Sequence, residues 1–239
     1  MDHRSDRAEA ELVPYYPCLG AEGVKEYRKK NMQTIDGAPT GFSMTSEIRP
    51  ATWEGFEGVM GDKGGCGGCL CMLWLLSAKD LAAGKGAGNR DAMKALFDGG
   101  HVPGLIACHQ DEPAGWLQID RRSAFPKLTT SRILYPVDDA EVWSVSCFFV
   151  HKGYLRKGLS SQLLNAAMEW AQSQGATVVE GYPIDKAEEK YPAVYAWTGF
   201  VGAYLESGFT EVARRSDTRP LCASRSIEMA KRAMIGKTK

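Results

Sequence analysis

The stretch Val150–Leu164 reads VHKGYLRKGLSSQLL. An apolar strand runs into Arg156, Lys157 and Gly158, and an amphipathic helix follows. The first turn of a helix presents unpaired N–H groups and a partial positive charge. Glycine lets backbone approach a phosphate closely, and Lys and Arg add charge. These residues make an anion or diphosphate cradle, or else an ordinary strand–helix turn with solvated charges. A second group is Cys66, Cys69 and Cys71 in GGCGGCLCMLW. Thiolates this close suit a soft metal such as zinc. A closed site needs a fourth ligand, and Cys108, His109 or Cys147 qualifies only if the fold brings one near. Free cysteines also pack as small apolar groups beside a glycine-rich turn, and that reading, with no metal expected, is preferred. Redox sensing is the third option. A third group is the segment EGYPID, whose Glu180 and Asp185 suit a cationic amine or a solvated strand end.

Elements must position these groups. Residues 1–42 mix charges with Pro and Gly and read as an extension, with one short helix near Ala21–Lys30. A single domain is expected from Ser43 to Lys239. Ser43–Arg49 reads as a strand and Ala51–Met60 as a helix. Leu81–Gly88 reads as a loop, and Asn89 as the cap of a helix Arg90–Phe97. Gly104–Cys108 and Gly115–Asp120 read as strands joined through DEPAG, and Arg122–Asp139 as irregular. Val142–Val150 is nearly continuously apolar, as for a strand covered on both faces. In Gly158–Gln174, Leu159, Leu163, Ala166, Ala167, Trp170 and Ala171 fall on one helical face. Thr177–Tyr182 is the next strand, Val194–Ser207 a helix interrupted by Gly199 and Gly202, and Phe209–Arg215 and Ser224–Met229 are two last strands. The order predicts an α/β (α+β) fold: a mostly antiparallel sheet with one strand–helix–strand crossover at its centre.

Composition narrows the function. The chain has 239 residues, with 29 Lys plus Arg against 29 Asp plus Glu. Zero net charge disfavours a nucleic-acid binder working through bulk electrostatics. No apolar run reaches the roughly 18 residues of a membrane span. Seven cysteines, an odd number, do not form a disulfide framework of the usual kind. The chain reads as soluble, reduced and cytoplasmic.

The segment Leu155–Ser160 resembles the Gln/Arg-x-x-Gly-x-Gly/Ala motif of the GNAT superfamily of N-acetyltransferases. Gly158 matches, as do Val150, Tyr154, Leu163 and Leu164 around it; Leu155 replaces Gln or Arg, and Ser160 replaces Gly or Ala. Tyr204 stands five residues before Phe209 of a Gly-Phe pair, as a Tyr commonly does in that family. The cysteine segment is similar to a Cys-Gly-Gly-Cys-Trp-Cys-Met run in a bacterial subgroup of it, with Leu70 in place of Trp. The resemblance implies a GNAT-like mixed sheet ordered β-α-α-β-β-β-α-β-α-β-β and an acetyl-CoA-dependent N-acetyltransferase.

It also implies roles. Phe148, Phe149 and Val150 would meet acetyl-CoA along the splayed strand, and Leu155, Arg156, Lys157, Gly158, Leu159 and Ser160 would hold its diphosphate. N–H groups around Cys147–Val150 would stabilise the oxyanion. Tyr204 would give the departing thiolate its proton. The base that frees the amine is open among Glu141, Glu180 and His151. The acceptor is a small-molecule or protein amine, and a homodimer is open. Arg214, Arg215, Arg219, Arg225, Lys231 and Arg232 make a solvated basic face or meet the 3′-phosphate. The rival reading is a non-catalytic acyl-CoA-binding module, or one in which the cysteines respond to metal or redox state.

Overall fold

In a computed structural model the described residues are 46–61, 64, 67–186, 191 and 195–225. The expected extension 1–42 with its helix, the domain start at Ser43, Cys66, and Lys231 and Arg232 lie outside them. So do residues 226–229 of the last expected strand.

The described strands form one sheet. They are β1 (Glu47–Pro50), β2 (Gly104–His109), β3 (Glu112–Arg121), β4 (Trp143–Val150), β5 (Val178–Gly181), β6 (Thr210–Arg214) and β7 (Pro220–Arg225). Their spatial order is β1-β2-β3-β4-β5-β7-β6. Every neighbouring pair is antiparallel except β4 with β5, which is parallel. A parallel pair needs a crossover, and α5 (Leu159–Ser173) supplies it. The helices α1 (Trp53–Met60), α2 (Ala78–Ala83) and α3 (Ala87–Asp98) come before β2, α4 (Pro126–Thr129) after β3, and α6 (Val201–Glu206) after β5. None of the described helices is long and apolar enough to cross a membrane.

Each face of the sheet has its own core. Leu159, Leu163, Leu164, Ala167 and Ala171 of α5 pack on Leu117, Ile119, Val145 and Val179. Trp143 meets Trp170 of the same helix edge-on, with centroids 5.2 Å apart. The other face carries Ile106, Trp116 and Cys147 under Phe56 and Val59 of α1 and Met93 of α3. The period-2 alternation of β3 separates the two sets.

A bulge in β4 sets which side chains face which core. Gln118 pairs with Cys147 and Ile119 with Val145, so Ser146 is the extra residue. A bulge resets the alternation. Cys147 therefore joins the α1 side, while Phe148 joins the α5 side.

Several expected elements differ. The β2–β3 turn is tighter than DEPAG: Gln110 and Asp111 take φ of 51° and 65°, and β3 starts at Glu112. Positive φ at both central residues suits the twist of a two-residue hairpin. Residues expected as a loop form α2, because the Ser77 hydroxyl accepts the Asp80 N–H at 3.1 Å and caps it. Asn89 is no cap: α3 begins at Ala87, and buried Asn89 donates to the carbonyls of Gly68 and Leu81. The region expected as irregular contains the single turn α4, opened by Pro126. The helix expected from Val194 begins only at Val201, since Gly199 sits at φ 75°. The last strand begins at Pro220, earlier than the expected Ser224, and Leu221 and Cys222 on it are buried.

Candidate functional site

The candidate cradle is built by backbone. Arg156 has φ 61° and Gly158 φ 76°, flanking Lys157 in a turn that leads directly into α5. Such left-handed turns aim successive N–H groups at one point. No side chain caps α5, and a helix leaves its first N–H groups without intrahelical partners. A Cβ built at Gly158 meets nothing within 4 Å. That open space fits a phosphate lying against the glycine. Leu155 is exposed, and Lys157 lies over the Tyr154 ring.

The adjoining opening comes from the register of β4 and β5. Their pairing covers Trp143–Val179, Ser144–Glu180 and Val145–Gly181. Beyond Val145, β4 continues to Val150 while the chain after Gly181 turns away. The Phe148 N–H points into the space between them, but it is not free. It donates to the carbonyl of Trp197. The segment holding Trp197 is secured by Arg219 Nη1, which donates to Thr198 Oγ1 at 2.8 Å, and by Tyr204, whose hydroxyl donates to the Thr198 carbonyl at 3.2 Å. The chain's own backbone thus sits where the sequence predicted an oxyanion donor.

Tyr204 is fully buried at this opening. Its ring lies 6.1 Å from that of Phe148 and 5.0 Å from that of Phe209. Gly181 makes the room. A Cβ there would stand 2.2 Å from Tyr204 Cε1. Gly181→Ala is expected to cost about 1–3 kcal/mol through overpacking, lowering Tm by roughly 2–12 °C. Thermal melts of the two proteins check this, and an unchanged Tm contradicts the packing.

The three candidate bases do not converge. Glu141 is exposed, precedes β4 and accepts a hydrogen bond from Ser123. It lies seven residues before Phe148, about 20 Å along an extended strand. Glu180 is buried on β5. Arg122 Nη1 stands 3.4 Å from its Oε2, and the Ser144 and Tyr182 hydroxyls donate to its Oε1. It is a locked member of a buried network, with Arg122 also donating to the carbonyls of Asp138 and Ala140. His151 stands at the end of β4, its N–H bonded to the Ala114 carbonyl and its ring edge-on to Phe149.

The cysteine segment packs inward. Leu70 and Cys71 have φ of 34° and 59°, so this is a turn and not a strand. The Cys71 thiol is buried 3.4 Å from that of Cys147 and accepts the Trp116 indole N–H at 3.1 Å. Trp74 donates its indole N–H to the Ser146 carbonyl at the bulge. Among the described residues no three His, Cys, Asp or Glu side chains gather into a metal site. Of the basic residues, Arg214 pairs with Asp185 and Glu211, and Arg215 stacks on Tyr135.

Burial holds several protons tightly. It pushes the Tyr204 hydroxyl and the Cys71 and Cys222 thiols up. Tyr182 is raised by burial and by the neighbouring Glu180 charge. In the unfolded chain these groups titrate near ~8.5 for thiols and ~10 for phenols. The native state keeps protons there that the unfolded chain releases. Stability is therefore intact below those values and falls as pH rises through them, by about 1.4 kcal/mol per pH unit for each group. Chemical denaturation at pH 8 and pH 11 is expected to show a clear loss at the higher pH. Equal stability would contradict the burial of these groups.

A model of the acetyltransferase (GNAT) family matches residues 74–200, more than half of the chain. The chain belongs to the GNAT acetyltransferase family. Solved structures similar to this acetyltransferase include PaiA N-acetyltransferase from Thermoplasma acidophilum in complex with coenzyme A. That pair shares 11% identity at a TM-score of 0.46, covering 76% of this chain and 99% of PaiA. Another is YncA from Salmonella typhimurium with acetyl-CoA, at 15% identity and a TM-score of 0.45, covering 77% and 95%. No curated protein matches the sequence of this acetyltransferase.

Residues that sequence reasoning missed are Gln118, Ser144, Ser146, Tyr182 and Arg122, all buried and polar or hydroxyl-bearing. A signal existed for one of them. In GWLQID, Gln118 and Asp120 interrupt an apolar strand on the face that also carries Trp116.

Proposed function

We propose that this acetyltransferase moves the acetyl group of acetyl-CoA to a primary amine by direct attack, with no covalent enzyme intermediate. The observation that carries the reading is the separation of β4 from β5 after Val145 and Gly181, beside the uncapped start of α5. Residues 43–239 are taken as the transferase domain and 1–42 as its extension.

The N–H groups from Arg156 to Ser160 would take the diphosphate, with Gly158 allowing close approach and Arg156 and Lys157 adding charge. Phe149 and Val150 would flank the pantetheine. Phe148 would give its N–H to the thioester carbonyl, whose oxygen gains charge as the amine attacks. That N–H must first exchange the Trp197 carbonyl for the substrate's, so residues 195–199 shift on binding. Tyr204 would protonate the departing sulfur. Its raised pKa keeps it a proton donor at neutral pH. The amine must lose a proton to attack, and water in the opening would take it. Glu180 would hold the opening in shape through Ser144 and Tyr182 and is not assigned as the base; exposed Glu141 is not assigned either.

The rival, a non-catalytic acyl-CoA-binding module, has one observation in its favour: the Phe148 N–H is already taken. A redox-responsive module is less favoured, since burial keeps the Cys71 thiol protonated and a poor nucleophile. Free-thiol release from acetyl-CoA across a panel of primary amines separates the readings. Release that needs both substrates supports direct transfer. An acetylated protein formed without amine overturns the mechanism, and binding without release from any amine favours the module.

A further inference from the structure

The turn at residues 196–199 takes two groups of the β4–β5 opening at once. The Trp197 carbonyl accepts the Phe148 N–H, and the adjacent Thr198 carbonyl accepts the Tyr204 hydroxyl. Each of those donors has a single hydrogen, so neither can serve a ligand while the turn stays in place. The fit is close. The Gly199 N–H closes the turn on the Ala196 carbonyl at 2.9 Å. A Cβ at Gly199 would stand 3.2 Å from Phe148 Cε2 and 3.3 Å from Tyr204 Cε2. From the glycine onward the chain is tied down. The Gly199 carbonyl accepts the Ile184 N–H at 2.8 Å, and the Val201 N–H donates to the Ile184 carbonyl at 3.0 Å. Withdrawal of the two carbonyls therefore turns the chain at or before Gly199, which sits at φ 75°.

Arg219, just before β7, grips this turn from a separate segment. Its Nη1 donates to Thr198 Oγ1 at 2.8 Å, and its Cζ lies 5.9 Å from the centre of the Trp197 ring. A hydrogen bond from a charged donor is about twice as strong as a neutral one. The neutral Tyr204 bond, at 3.2 Å, is the longer and weaker hold. The arrangement also carries a cost. Trp197 Nε1 is buried with no hydrogen-bond partner among the described residues, and an unpaired buried N–H is unfavourable. Moving the turn relieves that cost and breaks the Arg219 contact, so two arrangements are in balance.

We infer that residues 196–199 are an internal plug whose two carbonyls occupy the place of the thioester end of acetyl-CoA, and that Arg219 is the positioning residue that latches it. The inference rests on the acetyl-transfer reading above, which supplies the roles of Phe148 and Tyr204. The plug and the thioester carbonyl compete for one N–H. Free coenzyme A carries no carbonyl on its sulfur and does not enter that competition. The latch therefore weakens acetyl-CoA in proportion to the plugged fraction of the protein, and it leaves coenzyme A nearly unaffected.

Calorimetric titration of the wild type, Arg219→Met and Thr198→Val with acetyl-CoA and with coenzyme A gives the ratio of the two Kd values for each protein. Arg219→Met keeps an unbranched side chain but removes the donor. Thr198→Val keeps the shape but removes the acceptor. Each variant is expected to tighten acetyl-CoA ~10-fold relative to coenzyme A, the effect of one lost hydrogen bond on the plug. The ratio is taken within one protein sample, so partial misfolding of a variant does not disturb it. A merely structural role for Arg219 would move both affinities together. An unchanged ratio in either variant overturns the proposal, as does a ratio shifted toward coenzyme A. A wild type that binds neither ligand would instead strike the acetyl-transfer reading.

Discussion

Replacing Gly158 with Asp is expected to lower acetyl-CoA affinity by ~100-fold or more, with the protein still folded. The two effects have different origins. Gly158 sits at φ 76°, so a side chain there costs about 1–2 kcal/mol of stability. Its Cβ meets no protein atom within 4 Å, so no clash is added. The ligand suffers more. The carboxylate occupies the space where a phosphate would lie and opposes its charge beside a helix start that favours anions. Losing two hydrogen bonds to a charged group, at about 1.5–3 kcal/mol each, accounts for ~100-fold or more. Gly158→Asn is the control. It has nearly the same size and backbone cost without the charge, and is expected to weaken binding less. Calorimetric titration of the three proteins reads the result. A Gly158→Asp protein that binds like wild type removes the cradle from these residues.

The second large effect is at the opening itself. Tyr204→Phe is expected to lower kcat by ~10²-fold or more, within the usual range for loss of a general acid. KM for acetyl-CoA should change little, because the ring keeps its packing against Phe148 and Phe209. Stability should fall by only about 0.5–1.5 kcal/mol, the worth of the hydrogen bond to the Thr198 carbonyl. The pH profile separates an acid from a packing residue. Burial holds the Tyr204 proton well above pH 10, so the wild-type rate should not fall through loss of this proton between pH 7 and pH 10. A Tyr204→Phe protein with undiminished kcat over that range would rule out Tyr204 as the proton donor.

Both expectations join a signal legible in the sequence to one that was not. The turn into α5, proposed as the cradle, was legible because its parts are contiguous. A glycine between basic residues and an amphipathic helix fixes the backbone locally, and α5 lies within one residue of its expected bounds at both ends. The surroundings of the candidate bases were not legible. Glu141 and Glu180 flank or occupy central strands, yet one is solvated and the other enclosed by Arg122, Ser144 and Tyr182. Partners from separate segments decide that difference, and spacing along the chain does not carry it.

By itself the sequence determined the α/β class, the crossover through α5, the glycine turn that opens α5 and the buried aromatic before Gly208-Phe209. All of these follow from local periodicity and backbone preference. Tertiary structure alone decided three other things. The Ser146 bulge resets the alternation so that Cys147 faces the α1 side and Phe148 the α5 side, the Trp197 carbonyl occupies the Phe148 N–H, and Gln118 Nε2 is left without a hydrogen-bond partner among the described residues. Each depends on which strands lie side by side and in what register, and register is set by pairing between segments far apart in the chain.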